Sequence, residues 1–446
     1  MPVDHWMMFA TFAEQRHFEY PDVGSYSGVI INGNMAAHAP SGLAVFLLER
    51  TRGMRYIVDP LTHAFQHDPE TIANPEGEPK SSIRSLADHF GPPVSDLVGR
   101  RPLLPKHLSD AGVRRAFVEA SIRFQLDHLR NHMLEADARK YLGDEAISPP
   151  YAIVAPYFYL TESTIGDWLP LCEACAQDAR AVVPGPSPKL FASIVLSQGA
   201  LLESAARQSI VHTFGAMDVD GYLLWIDEFD EQGVGTPHLQ ALLEVAQGLR
   251  GANGREVINT HGGYFSILAA GKLGSQALSG VCHGPEFGEF RGVIPVGGGI
   301  PIARFYLPSL HARIRYRDAV RILQEKGWLA SASVFHEKVC DCEACREVIA
   351  DDIGHFTLYG EGSVRSVRRG TGIVRISFPT KEAKLRSLRH YLQRKKREFV
   401  ASSDAPENAL WHNLSDCADE LEDVAGLEGV GHLRRWAGVL RQWRDR

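Results

Sequence analysis

The chain has 446 residues, 44% of them hydrophobic, with 47 basic and 54 acidic side chains and a formal charge of −7. That length and apolar share bury a large core and suit one barrel with additions better than two independent domains. No apolar run approaches the roughly 20 residues that span a bilayer. The start, with Asp4 and His5 ahead of Trp6-Met7-Met8-Phe9, lacks a charged signal segment, and an odd count of seven cysteines, five of them in two short clusters, argues against a secreted disulfide framework. A soluble cytoplasmic protein with no membrane partner is expected.

In chain order, two stretches of strand character come first, Gly28 to Ile31 and Leu43 to Leu48, followed by Met54-Arg55-Tyr56-Ile57-Val58-Asp59-Pro60. A β-branched run ending in Asp-Pro puts the Asp59 carboxylate at the C-terminal end of a strand, the rim where barrel enzymes work; it equally suits a turn cap before Pro60. Pro69 to Pro105, rich in proline and polar residues, reads as an irregular connection over the rim. A helix is expected from Ala111 to Leu134. Strands and helices then alternate: strands at Tyr151–Phe158, Leu190–Leu196, Gly221–Ile226, Glu256–Thr260, Leu278–Cys282 and Ile302–Leu307, helices at Trp168–Ala179 and Pro237–Leu249. With the Tyr56 strand and one earlier strand the count reaches eight, and a closed α/β (β/α)8 barrel of the TIM type is the simplest architecture. Cys172 and Cys175, three apart on an amphipathic helix, read as core thiols.

The strand Tyr222–Ile226 ends abruptly in Asp227 and Glu228, the strongest acid cluster at the expected rim. The next strand runs into His261-Gly262-Gly263-Tyr264, where paired glycines let a ligand approach the backbone and the tyrosine offers a stacking face. Gly280 to Glu289 is a similar loop and contains His283. His261 and His283 read as substrate-positioning residues, because neither has a partner at metal-ligand spacing.

Cys340-Asp341-Cys342-Glu343-Ala344-Cys345 places three thiols within six residues. Neighbouring C-x-C cysteines pair poorly as a disulfide, whereas three thiolates and a histidine suit one tetrahedral Zn2+. His336, His355 and His390 are the candidates for the fourth ligand, with His390 favoured because a helical run can hold its imidazole still. From Arg365 to Arg397 twelve bases face the single acid Glu382, either a solvated face or a surface for phosphates. Three regions follow: a barrel over 1–335, a zinc-binding subdomain with a basic helix over 336–400, and a helical tail over 401–446.

The cysteine motif with its helix-borne histidine resembles that of the tRNA-guanine transglycosylases and their DNA-acting 7-deazaguanine relatives, in which it follows a TIM barrel. Ile57-Val58-Asp59-Pro60-Leu61-Thr62-His63-Ala64-Phe65-Gln66 is similar to that family's L-T-D-S-G-G-F-Q stretch, whose aspartate serves in catalysis; the two glycines are absent here. Leu307-Pro308-Ser309-Leu310-His311-Ala312-Arg313 resembles the eighth-strand motif F-D-C-V-x-P-T-R-x-A-R, with Arg304 at the position of the nucleophilic aspartate. The histidine also follows the cysteines later than in the family, which implies an insertion within Thr357–Pro379. The resemblance implies a transglycosylase that exchanges guanine for a 7-deazaguanine in DNA or tRNA, DNA being favoured, with partner proteins of a modification system. Asp227 then becomes the best nucleophile and Asp59 the acid and base, with the reverse assignment open. His261, Gly262, Gly263, Tyr264 and His283 hold the base, and Arg304 steadies a phosphate or carboxylate. The loss of the usual nucleophile equally allows a catalytically silent nucleic-acid or deazaguanine-binding protein.

Overall fold

The computed structural model describes residues 2–19, 26–51, 54–133, 148–183, 185–251, 253–285, 289–294, 301–369 and 372–446. Nine strands form one sheet: β1 (Asp4–Phe9), β2 (Gly28–Asn32), β3 (Arg55–Asp59), β4 (Ala152–Val154), β5 (Tyr159–Leu160), β6 (Lys189–Leu196), β7 (Gly221–Ile226), β8 (Glu256–Asn259) and β9 (Gly280–His283). Every pairing is parallel, β4 also joins β6, and β9 returns to β1, so eight strands close a barrel while β5 adds to the end of β6. Parallel neighbours require crossovers, which here are helical: Gly33–His38 and Pro40–Glu49 after β2, Ile165–Val182 after β5, Ser204–Ala216 after β6, Thr236–Arg250 after β7 and Tyr264–Ala270 after β8. The expected (β/α)8 class is the one observed.

Alternation along each strand decides what fills the barrel. Trp6, Met8, Ile30, Ile57, Val154, Phe191, Val195, Leu223, Trp225, Ile258 and Cys282 form one buried interior cluster. Its lower end is closed by polar pairs: Arg55 donates to Asp4 at 2.7 Å, and Lys189 and the Tyr151 hydroxyl both donate to Glu256. Gly28 lies in register with Trp6, and a Cβ there would stand 2.3 Å from the indole.

Four expectations are corrected. Leu43–Leu48 is not a strand but part of the helix Pro40–Glu49, because proline at its first turn starts a helix and Leu43, Ala44, Phe46 and Leu47 bury one face of it. The first barrel strand is instead Asp4–Phe9, whose buried residues include no β-branched side chain. The span 69–105 is not irregular throughout, since Ser81–Phe90 is an amphipathic helix burying Ile83, Leu86, Ala87 and Phe90. Ile302–Leu307 is not the eighth barrel strand; that place belongs to β9. The helix from Ala111 passes through a π-turn at Phe124–His128 and is described to Met133, so Leu134 lies outside the described residues.

The chain divides into two compact units, one comprising Val3–Glu19 and Tyr26–Pro295, the other containing Val296–Arg446. The second unit holds an antiparallel hairpin, β10 (Arg304–Leu307) with β11 (Ala312–Arg315), short helices including Glu343–Ile349, and a ribbon of β12 (Gly362–Arg369) with β13 (Gly372–Pro379). The helix Lys381–Asp404 follows, then the helical segment Glu407–Arg444, which breaks at Gly426 where φ is 75°. No helix among the described residues is long and apolar enough to cross a membrane.

Gly28→Ala should lower unfolding stability by roughly 1–3 kcal/mol, because the added methyl overpacks the barrel against Trp6. Urea titration reads this as a lower midpoint; an unchanged midpoint contradicts the packing described for Trp6.

Candidate functional site

At the C-terminal end of β3 the alternation that turns Ile57 inward turns Asp59 inward as well. Asp59 is buried, and its carboxylate accepts the Tyr157 hydroxyl at 2.5 Å and the Leu61 N–H at 3.1 Å. It therefore acts as a turn cap and as an inward-facing rim group at once. Burial raises its pKa, opposed by those two donors and by the charge of Arg291. The Tyr157 oxygen also lies 3.2 Å from His63 Nδ1, and the two rings stack. His63 meets the edge of Trp225, which in turn packs against His261 at a ring separation of 4.7 Å. Burial pulls His63 well below the ordinary imidazole range and His261 down to about 3, so both are neutral hydrogen-bonding groups.

The loop after β3 is fastened to the Tyr157–Tyr159 segment by reciprocal bonds. Thr62 donates to the Tyr157 carbonyl and accepts its N–H, and Gln66 does the same with Tyr159. Side-chain amide and hydroxyl groups thus fix the loop.

Asp227 follows β7 and is half-buried. One carboxylate oxygen accepts the Tyr159 hydroxyl at 2.7 Å and the other accepts the Val293 N–H at 2.7 Å. Val293 belongs to the stretch 289–294, which is held against the mouth because the Arg291 carbonyl accepts both the Trp225 indole N–H and the Glu228 N–H. The Arg291 guanidinium is half-buried; burial lowers its pKa while the charges of Glu14 and Asp59 oppose that shift. Tyr157, His63 and Arg291 carried no periodic or spacing signal in the sequence, and the T-x-x-E spacing of Thr11 and Glu14 marks a helix start rather than the mouth, so only the tertiary fold gathers them.

The remaining expected residues separate. His261 sits in the cluster around Trp225. Gly262 and Gly263 admit close packing, but of the chain's own side chains: a Cβ on Gly263 would stand 2.8 Å from Glu231 and 2.9 Å from Glu289, and one on Gly262 would stand 2.5 Å from Val281. Tyr264 is 3% exposed in the helix it opens, so it does not offer the stacking face expected of it. His283 is the residue after inward-facing Cys282, turns to the other side of the wall and stands 2.9 Å from His5, so it does not join the mouth cluster. Arg304 lies not on a barrel strand but on β10 in the other unit, where its exposed guanidinium donates to the Arg313 carbonyl. The misplacement has one cause, since the residues resembling an eighth-strand motif form a hairpin and β9 closes the barrel. Glu286 to Gly288 of the loop Gly280–Glu289 lie outside the described residues.

Glu231 is a carboxyl that sequence reasoning passed over. It is buried, accepts the Ser266 hydroxyl at 2.5 Å, and is pushed up to about 7 chiefly by burial. Cys172 and Cys175 are buried in the helix Ile165–Val182, as expected of core thiols.

In the second unit Cys340, Cys342, Cys345 and His390 converge, all buried, with ligand atoms within 4.8 Å of one another. The three sulfurs lie 3.7, 3.4 and 3.2 Å from His390 Nδ1. Metal–sulfur and metal–nitrogen bonds of about 2.3 and 2.05 Å at a tetrahedral angle put donors about 3.6 Å apart, so the set fits one metal ion. His390 Nε2 stands 2.7 Å from the Tyr306 carbonyl, which fixes Nδ1 toward the sulfurs, and Phe305 stacks on the ring. Of the other candidates, His355 is an exposed partner of Asp352 and His336 bonds to the Cys340 carbonyl.

No family model matches this chain, and no curated protein matches it in sequence.

Metal content should survive His355→Ala and fall below half an equivalent in His390→Ala and Cys342→Ala, read by elemental analysis of purified protein; equal retention in all three contradicts this ligand set. Glu231 supplies a pH signature. Its pKa rises from an ordinary 4.5 to about 7 on folding, so the folded state holds the proton more tightly and stability falls as pH rises through that window. Unfolding free energy should drop by about 3 kcal/mol between pH 4.5 and 7, and Glu231→Gln should flatten that slope. An unchanged slope in the variant removes Glu231 as its source.

Proposed function

We propose that this protein exchanges guanine for a 7-deazaguanine base in a nucleic acid, DNA being favoured over tRNA, with one structural zinc in the Cys340, Cys342, Cys345, His390 cluster. The observation that carries the reading is the buried Asp59 carboxyl at the C-terminal rim of a closed parallel barrel, bonded to Tyr157 and set among His63, Trp225 and His261. The Cys3His cluster supports it, because the same pairing of barrel and motif marks the family that the sequence resembles. Four protein ligands close a tetrahedral zinc and leave no position for water, so the metal serves structure, linking the helix Lys381–Asp404 to the loop ahead of Glu343–Ile349.

Exchange with retained configuration takes two displacements at the sugar carbon, hence a nucleophilic carboxylate and a group that manages the base's proton. The environments favour one assignment. A carboxyl whose pKa is raised by burial suits proton transfer, and that is Asp59. Asp227, less buried and fixed at both oxygens by Tyr159 and Val293, suits attack on the sugar. In the first displacement the Asp227 oxygen bonds to the sugar carbon, the glycosidic bond breaks, and guanine leaves with the proton from Asp59. In the second the incoming base gives a proton to Asp59, attacks the sugar carbon and releases Asp227, so the exchange is balanced in atoms and charge. His261, a neutral imidazole beside Trp225, would hydrogen-bond the base.

A silent base-binding protein is the competing reading, favoured by the occupancy of both Asp227 oxygens by the chain's own donors. Labelled guanine incubated with duplex DNA or tRNA distinguishes the two. Asp59→Asn and Asp227→Asn should each cut exchange at least about a thousandfold while metal content and nucleic-acid affinity persist. Wild-type exchange in both variants makes the rim carboxylates structural, and no exchange by the wild type on any nucleic acid leaves the binding protein.

A further inference from the structure

The twelve-base run of the second unit divides into two parts with different fates. On the helix Lys381–Asp404 the charges are largely committed within the protein: Arg386 pairs with Glu361, Arg389 with Glu347 and Arg397 with Asp341. Lys395 is fully buried, 3.0 Å from Glu398, which also receives the Tyr306 hydroxyl and stands 2.6 Å from His311 Nδ1. The ribbon of β12 and β13 differs. Residues 362–379 contain no acid, and Arg365, Arg368 and Arg375 are exposed. Glu361, the acid just before the ribbon, is already engaged by Arg386.

Register sorts the two faces. Arg365, opposite Ile376, and Val367, opposite Val374, lie on one; Arg368, opposite Ile373, and Arg375, opposite Ser366, lie on the other. Aliphatic side chains stand in the open between the arginines, Ile373 at 76%, Val364 at 62% and Val374 at 44% exposure. A two-stranded ribbon with cations on both faces and apolar groups between them buries no core of its own, so its composition points to a polyanionic partner.

We propose that the ribbon Gly362–Pro379 is a recognition element for duplex DNA that lies in the major groove, its arginines bonding phosphates on both walls and its aliphatic side chains touching base edges. This deepens the proposed function and rests on the reading that the protein acts on nucleic acid. Three observations select the occupant. A B-form major groove about 12 Å wide admits a two-stranded ribbon, whereas the A-form groove of RNA is too deep and narrow for one. Eight residues per strand extend about 27 Å, enough to reach the groove floor from outside the phosphates. The ribbon's one aromatic ring, Phe378, is half-buried beneath Arg365, so it lacks the stacking platform that single strands require. The arginines also oppose self-association through the open strand edges.

The test uses the full-length protein, a duplex of about 25 base pairs, one strand of it alone, a tRNA transcript and vesicles of phosphatidylserine and phosphatidylcholine, titrated by fluorescence anisotropy or sedimentation between about 50 and 200 mM salt. The triple variant R365S/R368S/R375S should bind duplex at least about tenfold more weakly, with a salt slope shallower by about 2.7, since each phosphate contact contributes about 0.9. Metal content and circular dichroism should match wild type. I373S should weaken duplex binding without changing the slope. Wild-type duplex affinity and slope in the triple variant overturns the proposal, as does a loss confined to tRNA, single strand or vesicles, or a dimer that I373S dissolves. Base exchange is scored separately: a protein that binds duplex through the ribbon yet exchanges no base refutes the proposed activity and leaves this role intact. Exchange that persists without ribbon-dependent binding does the opposite.

Discussion

A carboxylate held out of water at the end of a barrel strand is the constraint around which the mouth is built. Desolvation disfavours the charge on Asp59, so the fold must supply donors or let the group keep a proton, and it does some of each. The Tyr157 hydroxyl and the Leu61 N–H are the donors. Holding Tyr157 there requires the segment after β4 to be pinned, which Thr62 and Gln66 do through paired side-chain to backbone bonds. The same segment then brings Tyr159 to Asp227, so one short stretch positions both rim carboxylates. Val293 and Arg291 close over the result, with a half-buried guanidinium near the buried acids Glu14 and Asp59. Removing one member of such a network leaves its partners buried and unsatisfied, a cost of about 1–3 kcal/mol per group.

The second unit depends on a different kind of restraint. Its hairpin β10–β11, the loop before Glu343–Ile349 and the helix Lys381–Asp404 meet at four side chains that could hold one metal ion, with His390 tied to the Tyr306 carbonyl behind them. His390 lies forty-five to fifty residues from the cysteines along the chain, so a metal held by this cluster would be a long-range link that couples its binding to folding of the unit. Alongside it, Glu398, Lys395, His311 and Tyr306 form a buried polar group whose charges neutralise one another. Among the described residues, the ribbon inserted between cysteines and histidine takes no part in either set of ties.

What the sequence made legible follows from range. Alternation and β-branched runs located β3, β6, β7 and β8, and the C-x-C-x-x-C spacing with a helix-borne histidine located the four residues of the Cys3His cluster. The strand at Asp4–Phe9 carries no β-branched residue and was missed, while Leu43–Leu48 looked like a strand because a short apolar run has no period of its own. Ile302–Leu307 has strand character and is a strand, yet pairing partner is a tertiary property, and it pairs with β11 rather than with the barrel. That error carried Arg304 to a place it does not occupy. Exposure was equally illegible: Gly263 and Tyr264 read as a ligand platform but pack on the protein itself, and Lys395, counted among solvated bases, is buried. Tyr157 meets Asp59 and His63, and Glu231 meets Ser266, only through the fold.

The central claim is base exchange in nucleic acid at the barrel mouth. Its most direct test is mass spectrometry of nucleosides digested from DNA and from tRNA, taken from cells with the protein, without it, and with Asp59→Asn in its place. A 7-deazaguanine nucleoside present in one nucleic acid only when the wild-type protein is present, and absent in both other strains, is the result this account predicts. Identical nucleoside profiles in all three strains would contradict it.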